Sequence, residues 1–162
     1  MASVVQYCTF FLDGHFFGVE VEKVQEVRPY QEMTHVPLAP AVLKGLINLR
    51  GQIVTAIDLR RRLGLHERNG GDLPMNVVVR TESGLVSLLV DDIGDVLEVM
   101  EGSSEPPPET LSGVARELVR GVYKLKGVLM LVLDTEKATR VGAPGILAPT
   151  GYDVWASPSA PV

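Results

Sequence analysis

The sequence predicts a mainly β protein organised as two small barrels with short helices. Four pairs of apolar runs flank short turns that contain glycine, each a hairpin signal. An order of hairpin, helix, hairpin, helix occurs twice, with matching residues. Each half has too few long strands for a sandwich, and short antiparallel hairpins hide their edges most economically by closing into barrels.

Tyr7–Leu12 and His15–Val21 flank Asp13-Gly14 and form the first expected hairpin. Val21, Val24 and Val27 then recur every third residue among charged and polar ones, which predicts a short amphipathic helix ended by Pro29. Its valines are either core or partner surface. A brief strand is expected at Thr34–Val36, before Pro37-Leu38-Ala39-Pro40.

The stretch Leu43–Leu65 holds the second hairpin, in which Leu46–Leu49 meets Ile53–Ile57 across Arg50-Gly51. Asp58 stands where a helix N-cap belongs and Gly64 where a left-handed stop belongs, so a short basic helix leaves the hairpin. The polar, glycine-rich His66–Pro74 reads as a surface connection.

Beyond it, Asn76–Arg80 and Leu85–Val90 flank Ser83-Gly84 as hairpin three. Asp91, Asp92 and Asp95 read as a helix-start cluster leading into Val96–Val99, and Pro106-Pro107-Pro108 marks a loop. Val122–Leu125 and Val128–Leu133 flank Lys126-Gly127 as hairpin four, after which Asp134 can cap a helix through Thr135–Thr139. Residues 142–162 are rich in glycine, alanine and proline and look like a tail without a core of its own.

The repeat sorts these residues. Leu43–Leu65 lies over Val119–Thr139, so that Lys44-Gly45 matches Arg120-Gly121, Arg50-Gly51 matches Lys126-Gly127, and Asp58 matches Asp134. Phe17–Val27 lies over Leu89–Val99 through a shared Val-x-Glu-Val, placing Gln25 against Leu97. Residues common to both copies most simply serve the shared fold, which makes Gly51, Gly127, Asp58 and Asp134 structural. Asn48, facing Lys124, and the Arg60-Arg61-Arg62 run are better candidates for function. The domain is expected over residues 1–141, as modules of roughly 4–68 and 75–141 with strands that interleave.

A formal net charge of −5 and a pI near 5.2 provide no basic field for phosphate backbones, so nucleic acid is not an expected partner. The apolar run Val128–Leu133 is far short of the roughly 20 residues of a membrane span. Met1–Leu12 has neither the basic start nor the cleavage pattern of a signal peptide. The single Cys8 precludes an intrachain disulfide and fits a cytoplasmic protein.

No catalytic constellation stands out. His15, His35 and His66 have no partner at metal-ligand spacing, and the aspartates near Asp91 lack the spacing of a calcium loop, so no metal or cofactor is expected. Asn69-Gly70-Gly71 lacks the lysine of a phosphate loop. A binding module is the expected class, against a small-barrel enzyme whose triad assembles only in space. Arg50 has no intrinsic role in its turn, and is either a solvated charge or a partner-facing donor.

The stretches VEKVQEVRPY (Val21–Tyr30), LKGLINLRGQIVTAIDLRRRLGL (Leu43–Leu65), Asn76–Val99 and Val119–Thr139 together resemble the CheW family, the coupling proteins of bacterial chemosensory arrays. The resemblance spans about Val4 to Arg140 and rests chiefly on the combined KGxxNLRG and DLR signature. It implies two intertwined five-stranded SH3-like barrels and an adaptor without enzyme activity, recruited to receptor arrays at the inner membrane. It implies two partners, the cytoplasmic tip of chemoreceptors and the regulatory domain of a CheA-type histidine kinase. By motif, receptor contacts carry over to Val24, Glu26, Val27, Gly45, Asn48 and Arg50, with the kinase mainly on the first barrel. The pathway served is either chemotaxis or one controlling pili, development or a second messenger. Thr55 departs from the family, which often has proline there. The tail, with Tyr152-Asp153-Val154-Trp155, lies outside the pattern as a docking element or an anchor.

Overall fold

In the computed structural model, residues 3–141 are described. The Tyr152–Trp155 element lies outside them. Among the described residues, ten strands form two five-stranded sheets. Strands β1 (Val4–Leu12), β2 (His15–Glu20), β8 (Asp92–Met100), β9 (Val119–Leu125) and β10 (Val128–Leu133) make sheet A, in the order β8-β1-β2-β10-β9. Strands β3 (Val24–Arg28), β4 (Leu43–Leu49), β5 (Gln52–Asp58), β6 (Met75–Thr81) and β7 (Gly84–Val90) make sheet B, in the order β3-β6-β7-β5-β4. Helices α1 (Leu59–Arg62), α2 (Gly113–Leu118) and α3 (Thr135–Ala138) are short.

The two orders are the same pattern. Each sheet takes a hairpin from one half of the chain and three strands from the other, so the halves are intertwined. The exchange occurs where the chain leaves β2 for β3 and β7 for β8. In both sheets the hairpin is joined to the other half by a parallel ladder, β2 with β10 and β7 with β5.

Neither sheet closes through an unbroken ladder. Instead an isolated bridge after each first edge strand reaches the opposite edge: Thr34 pairs with Leu46 of β4, and Glu105 with Val122 of β9. Each bridge passes over a glycine. A Cβ on Gly45 would lie 2.8 Å from the Thr34 carbonyl oxygen, and one on Gly121 would lie 3.0 Å from that of Glu105.

Apolar side chains divide into three cores. The largest lies between the sheets, with Phe10, Leu12, Phe17 and Val19 of sheet A against Ile57, Val77, Val79, Leu88 and Val90 of sheet B. The Phe10 and Phe17 rings stack at 5.8 Å with planes 5° apart. Ile47, Leu49, Val54 and Val78 fill the curl of sheet B, while Tyr7, Val99, Tyr123, Met130 and Val132 fill that of sheet A. Alternation along each strand sends one face inward to its own sheet and the other to the shared core.

Three expectations are corrected. Val21–Val27 is not a helix: a single 3-10 turn at Val21–Lys23 gives way to strand β3, paired with β6. Seven residues are too few to sustain an isolated helix, whereas β-branched valines suit a sheet edge that is waiting to be filled. Asp91 and Asp92 start no helix, since β8 begins at once; the Asp91 carboxylate instead accepts from the Asp13 amide at 2.7 Å. The Phe17–Val27 alignment is out of register. Val27 pairs with Val77 and Val96 with Cys8, and Val77 and Cys8 stand equally far from their hairpin turns, so Val27 corresponds to Val96 and not to Val99.

Candidate partner-binding site

The residues singled out in β3 and in the β4–β5 turn begin on opposite edges of sheet B, yet the curl of the sheet brings them together. Arg50 donates to Glu26 through both terminal nitrogens, Nη2 to Oε2 at 2.5 Å and Nη1 to Oε1 at 3.3 Å. Arg28 Nη1 also reaches Glu26 Oε1, at 3.3 Å. Two guanidinium groups thus share one carboxylate, leaving a net positive rim. The Arg50 side chain keeps 65% of its surface exposed while making this contact.

The hydrogen bond from Arg50, supported by Arg28, holds the Glu26 carboxyl below the usual carboxylate range; the Glu26 carboxylate in turn raises the Arg50 guanidinium. Both stay charged at neutral pH. Forked, charge-assisted geometry of this kind is directional, so the pair presents a fixed arrangement of donors to an incoming surface.

The turn itself is tight. Leu49 and Gln52 are paired across Arg50-Gly51, and both central residues have positive φ, 51° at Arg50 and 88° at Gly51. That is a type I′ turn, whose twist matches that of its strands. Asn48 Oδ1 accepts the Gly51 amide at 2.8 Å, and the Asn48 carbonyl accepts from Gln31 Nε2 at 2.7 Å. Gly45 sits beneath the crossing chain at Thr34. Val24 is packed against the shared core, whereas Val27 is 39% exposed although its cross-strand partner Val77 is buried. The shared core therefore reaches the surface at Val27, next to Glu26 along β3 but on the opposite face of the strand.

The other sequence candidates lie elsewhere. Asp58 Oδ1 accepts the Arg61 amide and Asp134 Oδ1 the Lys137 amide, each as an N-cap. Gly51 and Gly127 both adopt left-handed φ in their turns. The arginine run is spent internally. Arg62 donates to the carbonyls of Lys137, Ala138 and Arg140 at the end of α3, and Arg61 pairs with Glu67.

Arg60 belongs to a charged cluster that sequence reasoning missed. Its Nη2 lies 2.6 Å from Asp91 Oδ2 and its Nε 2.9 Å from Oδ1, while Arg68 Nη2 donates to the same carboxylate at 2.9 Å. Partial burial pushes the Asp91 carboxyl up, but Arg60, the Asp13 amide and Arg68 together outweigh it and hold it low. The cluster ties the β1–β2 turn of sheet A to α1, which follows sheet B. No local pattern could have shown it, because Arg60 and Asp91 are 31 residues apart. Also unanticipated are exposed Val4, Val96 and Met100, grouped by the pairing of β1 with β8.

Among the described residues, no three His, Cys, Asp or Glu side chains are grouped to hold a metal ion. No described helix is long and apolar enough to cross a membrane. What the site provides is a charged fork on an edge strand whose other face exposes an apolar side chain, the chemistry of protein recognition.

Comparison with known proteins agrees with this chemistry. The profile of the CheW-like domain matches residues 6–141. A chemotaxis protein CheW of Treponema pallidum is 29% identical over 136 residues, covering 82% of this chain and 80% of the relative. One of Rhizobium meliloti is 32% identical over 120 residues, covering 74% and 77%. Among solved structures, the scaffolding protein TtCheW from Thermoanaerobacter tengcongensis superposes with a TM-score of 0.78 at 26% identity, covering 86% of this chain and 95% of that one.

Proposed function

The chain belongs to the CheW-like family of chemotaxis scaffold proteins, adaptors and not enzymes, and from that premise we propose that it couples chemoreceptor tips to a CheA-type histidine kinase. The observation that carries the reading is the Arg50–Glu26 fork, on an edge strand of sheet B whose other face exposes Val27. A receptor tip is a helical hairpin, and lying along the edge of β3 it can meet Val27 with its apolar side and Arg50 and Arg28 with its acidic groups. Val24, Gly45 and Asn48 complete the proposed receptor site from beneath.

The kinase regulatory domain is assigned to the outer face of β5, where Ile53 is 61% exposed. An isolated large apolar side chain at a strand end is a suitable anchor for a protein partner. Work in the cytoplasm at the receptor array follows from these two partners.

Co-sedimentation tests the reading. Kinase should pellet with receptor-containing membranes only when this protein is added, and far less of it should do so with Arg50→Glu. Kinase recovery that is indifferent to the protein would contradict coupling.

A further inference from the structure

We infer that Asn48 is a positioning residue, one that holds the Arg50-Gly51 peptide in the orientation that delivers Arg50 to Glu26. The inference rests on the reading of Arg50 as partner-facing and assigns Asn48 a role other than contact.

The two halves of the chain provide the comparison. In the first, Arg50 and Gly51 both have positive φ; in the second, Gly127 does, at 78°, but Lys126 does not. The first is a type I′ turn and the second has the pattern of type II. These two turns share nearly the same conformation at their second central residue and differ at the first, which is left-handed in type I′ and has negative φ in type II. The conformation of that first residue sets the direction in which its side chain leaves the turn, and it is held through the N–H of the peptide that follows it.

The group that captures the N–H in the first turn is Asn48, whose Oδ1 accepts from the Gly51 amide at 2.8 Å. The equivalent residue in the second turn is Lys124, which has no acceptor in its side chain. Lys124 instead pairs with Glu105 at 3.3 Å. Arg50, a residue with a Cβ, pays for its left-handed φ, and a strained conformation persists only where its surroundings over-determine it. Here Asn48 holds the peptide, Gln31 holds the Asn48 carbonyl, and Glu26 holds the guanidinium. Gln31 and Glu26 both come from the β3 side of the sheet, so the turn is clamped by the edge it faces.

The test compares Asn48→Leu, which removes the acceptor at similar size, with Asn48→Asp, which keeps an acceptor oxygen. In the wild type the Gly51 amide should exchange slowly, and the Glu26 carboxyl should titrate below the usual range by NMR. Asn48→Leu should speed Gly51 exchange about ten-fold, the upper end expected for one hydrogen bond, and return Glu26 toward ordinary titration. It should also weaken receptor-tip binding, and Asn48→Asp should restore all three. An unprotected Gly51 amide in the wild type, or a Glu26 titration unmoved by Asn48→Leu, overturns the inference. Those two readouts need no partner. They can therefore fail while Arg50→Glu still abolishes receptor binding, or hold while it does not, which separates this inference from the proposed function.

Discussion

Glu26 and Arg50 stand on opposite edges of one five-stranded sheet and meet through a forked ion pair. The contact exists because the sheet curls far enough for Thr34, just beyond β3, to pair with Leu46 of β4. A local charge pair thus reports on the global curvature of the sheet.

The pair's response to pH follows from its direction. Glu26 has a folded-state pKa below its unfolded value, so the interaction is fully present above the unfolded value and is lost as pH falls through the folded one. Receptor binding that depends on the fork should be flat from neutral pH down to about pH 5 and should fall only below the ordinary carboxylate range. A titration of affinity against pH checks this. Raising the salt concentration should weaken binding across the whole range, because the rim is exposed.

Asp91 is expected to matter for stability more than for binding. Asp91→Ala leaves Arg60 and Arg68, both largely covered, without their shared carboxylate and strips the Asp13 amide of its acceptor. A loss of about 2 kcal/mol in unfolding free energy is expected, less than for a fully buried pair because water still reaches the cluster. Urea denaturation measures it. The Asp91 pKa is also lowered, so this stability is present above the unfolded value and disappears as pH falls through the folded one.

Gly45→Ala and Gly18→Ala should separate two kinds of close approach. An added Cβ at Gly45 meets the Thr34 backbone carbonyl oxygen at 2.8 Å and Met33 Cβ at 2.9 Å, whereas at Gly18 it meets the Met130 thioether at 2.7 Å. Methionine can swing aside and a bridged backbone cannot. Gly45→Ala should cost roughly 1–3 kcal/mol and Gly18→Ala distinctly less, as read by thermal melts. Any binding lost by Gly45→Ala should then track its lost stability.

Ile53→Glu should weaken binding of the kinase regulatory domain on the order of ten-fold while leaving receptor-tip affinity within about two-fold. Its side chain is exposed, so the melting curve should barely move. Separate titrations with each partner check the division of surfaces.

Much of this architecture was legible because it is local. Hairpins at Asp13-Gly14, Arg50-Gly51 and Lys126-Gly127 announce themselves through turn chemistry, and the mainly β class follows from repeating them; the intertwining is implied by the family resemblance and not by any hairpin. The valines of Val21–Val27 misled because a three-residue recurrence also fits a 3-10 turn running into a strand, and the deciding partner, β6, lies about 50 residues away. The Asp91 cluster and the inward use of Arg60 and Arg62 were hidden for the same reason: charges read as available in sequence are spent on distant partners. The resemblance points to Arg50 and Glu26 separately, and only the curl of the sheet makes them one site.

The most direct test of the account is the affinity of the isolated receptor tip for Arg50→Glu, measured beside its melting temperature. Arg50→Glu places two carboxylates face to face at the fork, and affinity is expected to fall at least about ten-fold while the melting temperature stays within a few degrees. Wild-type affinity in a folded Arg50→Glu protein would contradict the assignment of this rim as the receptor site.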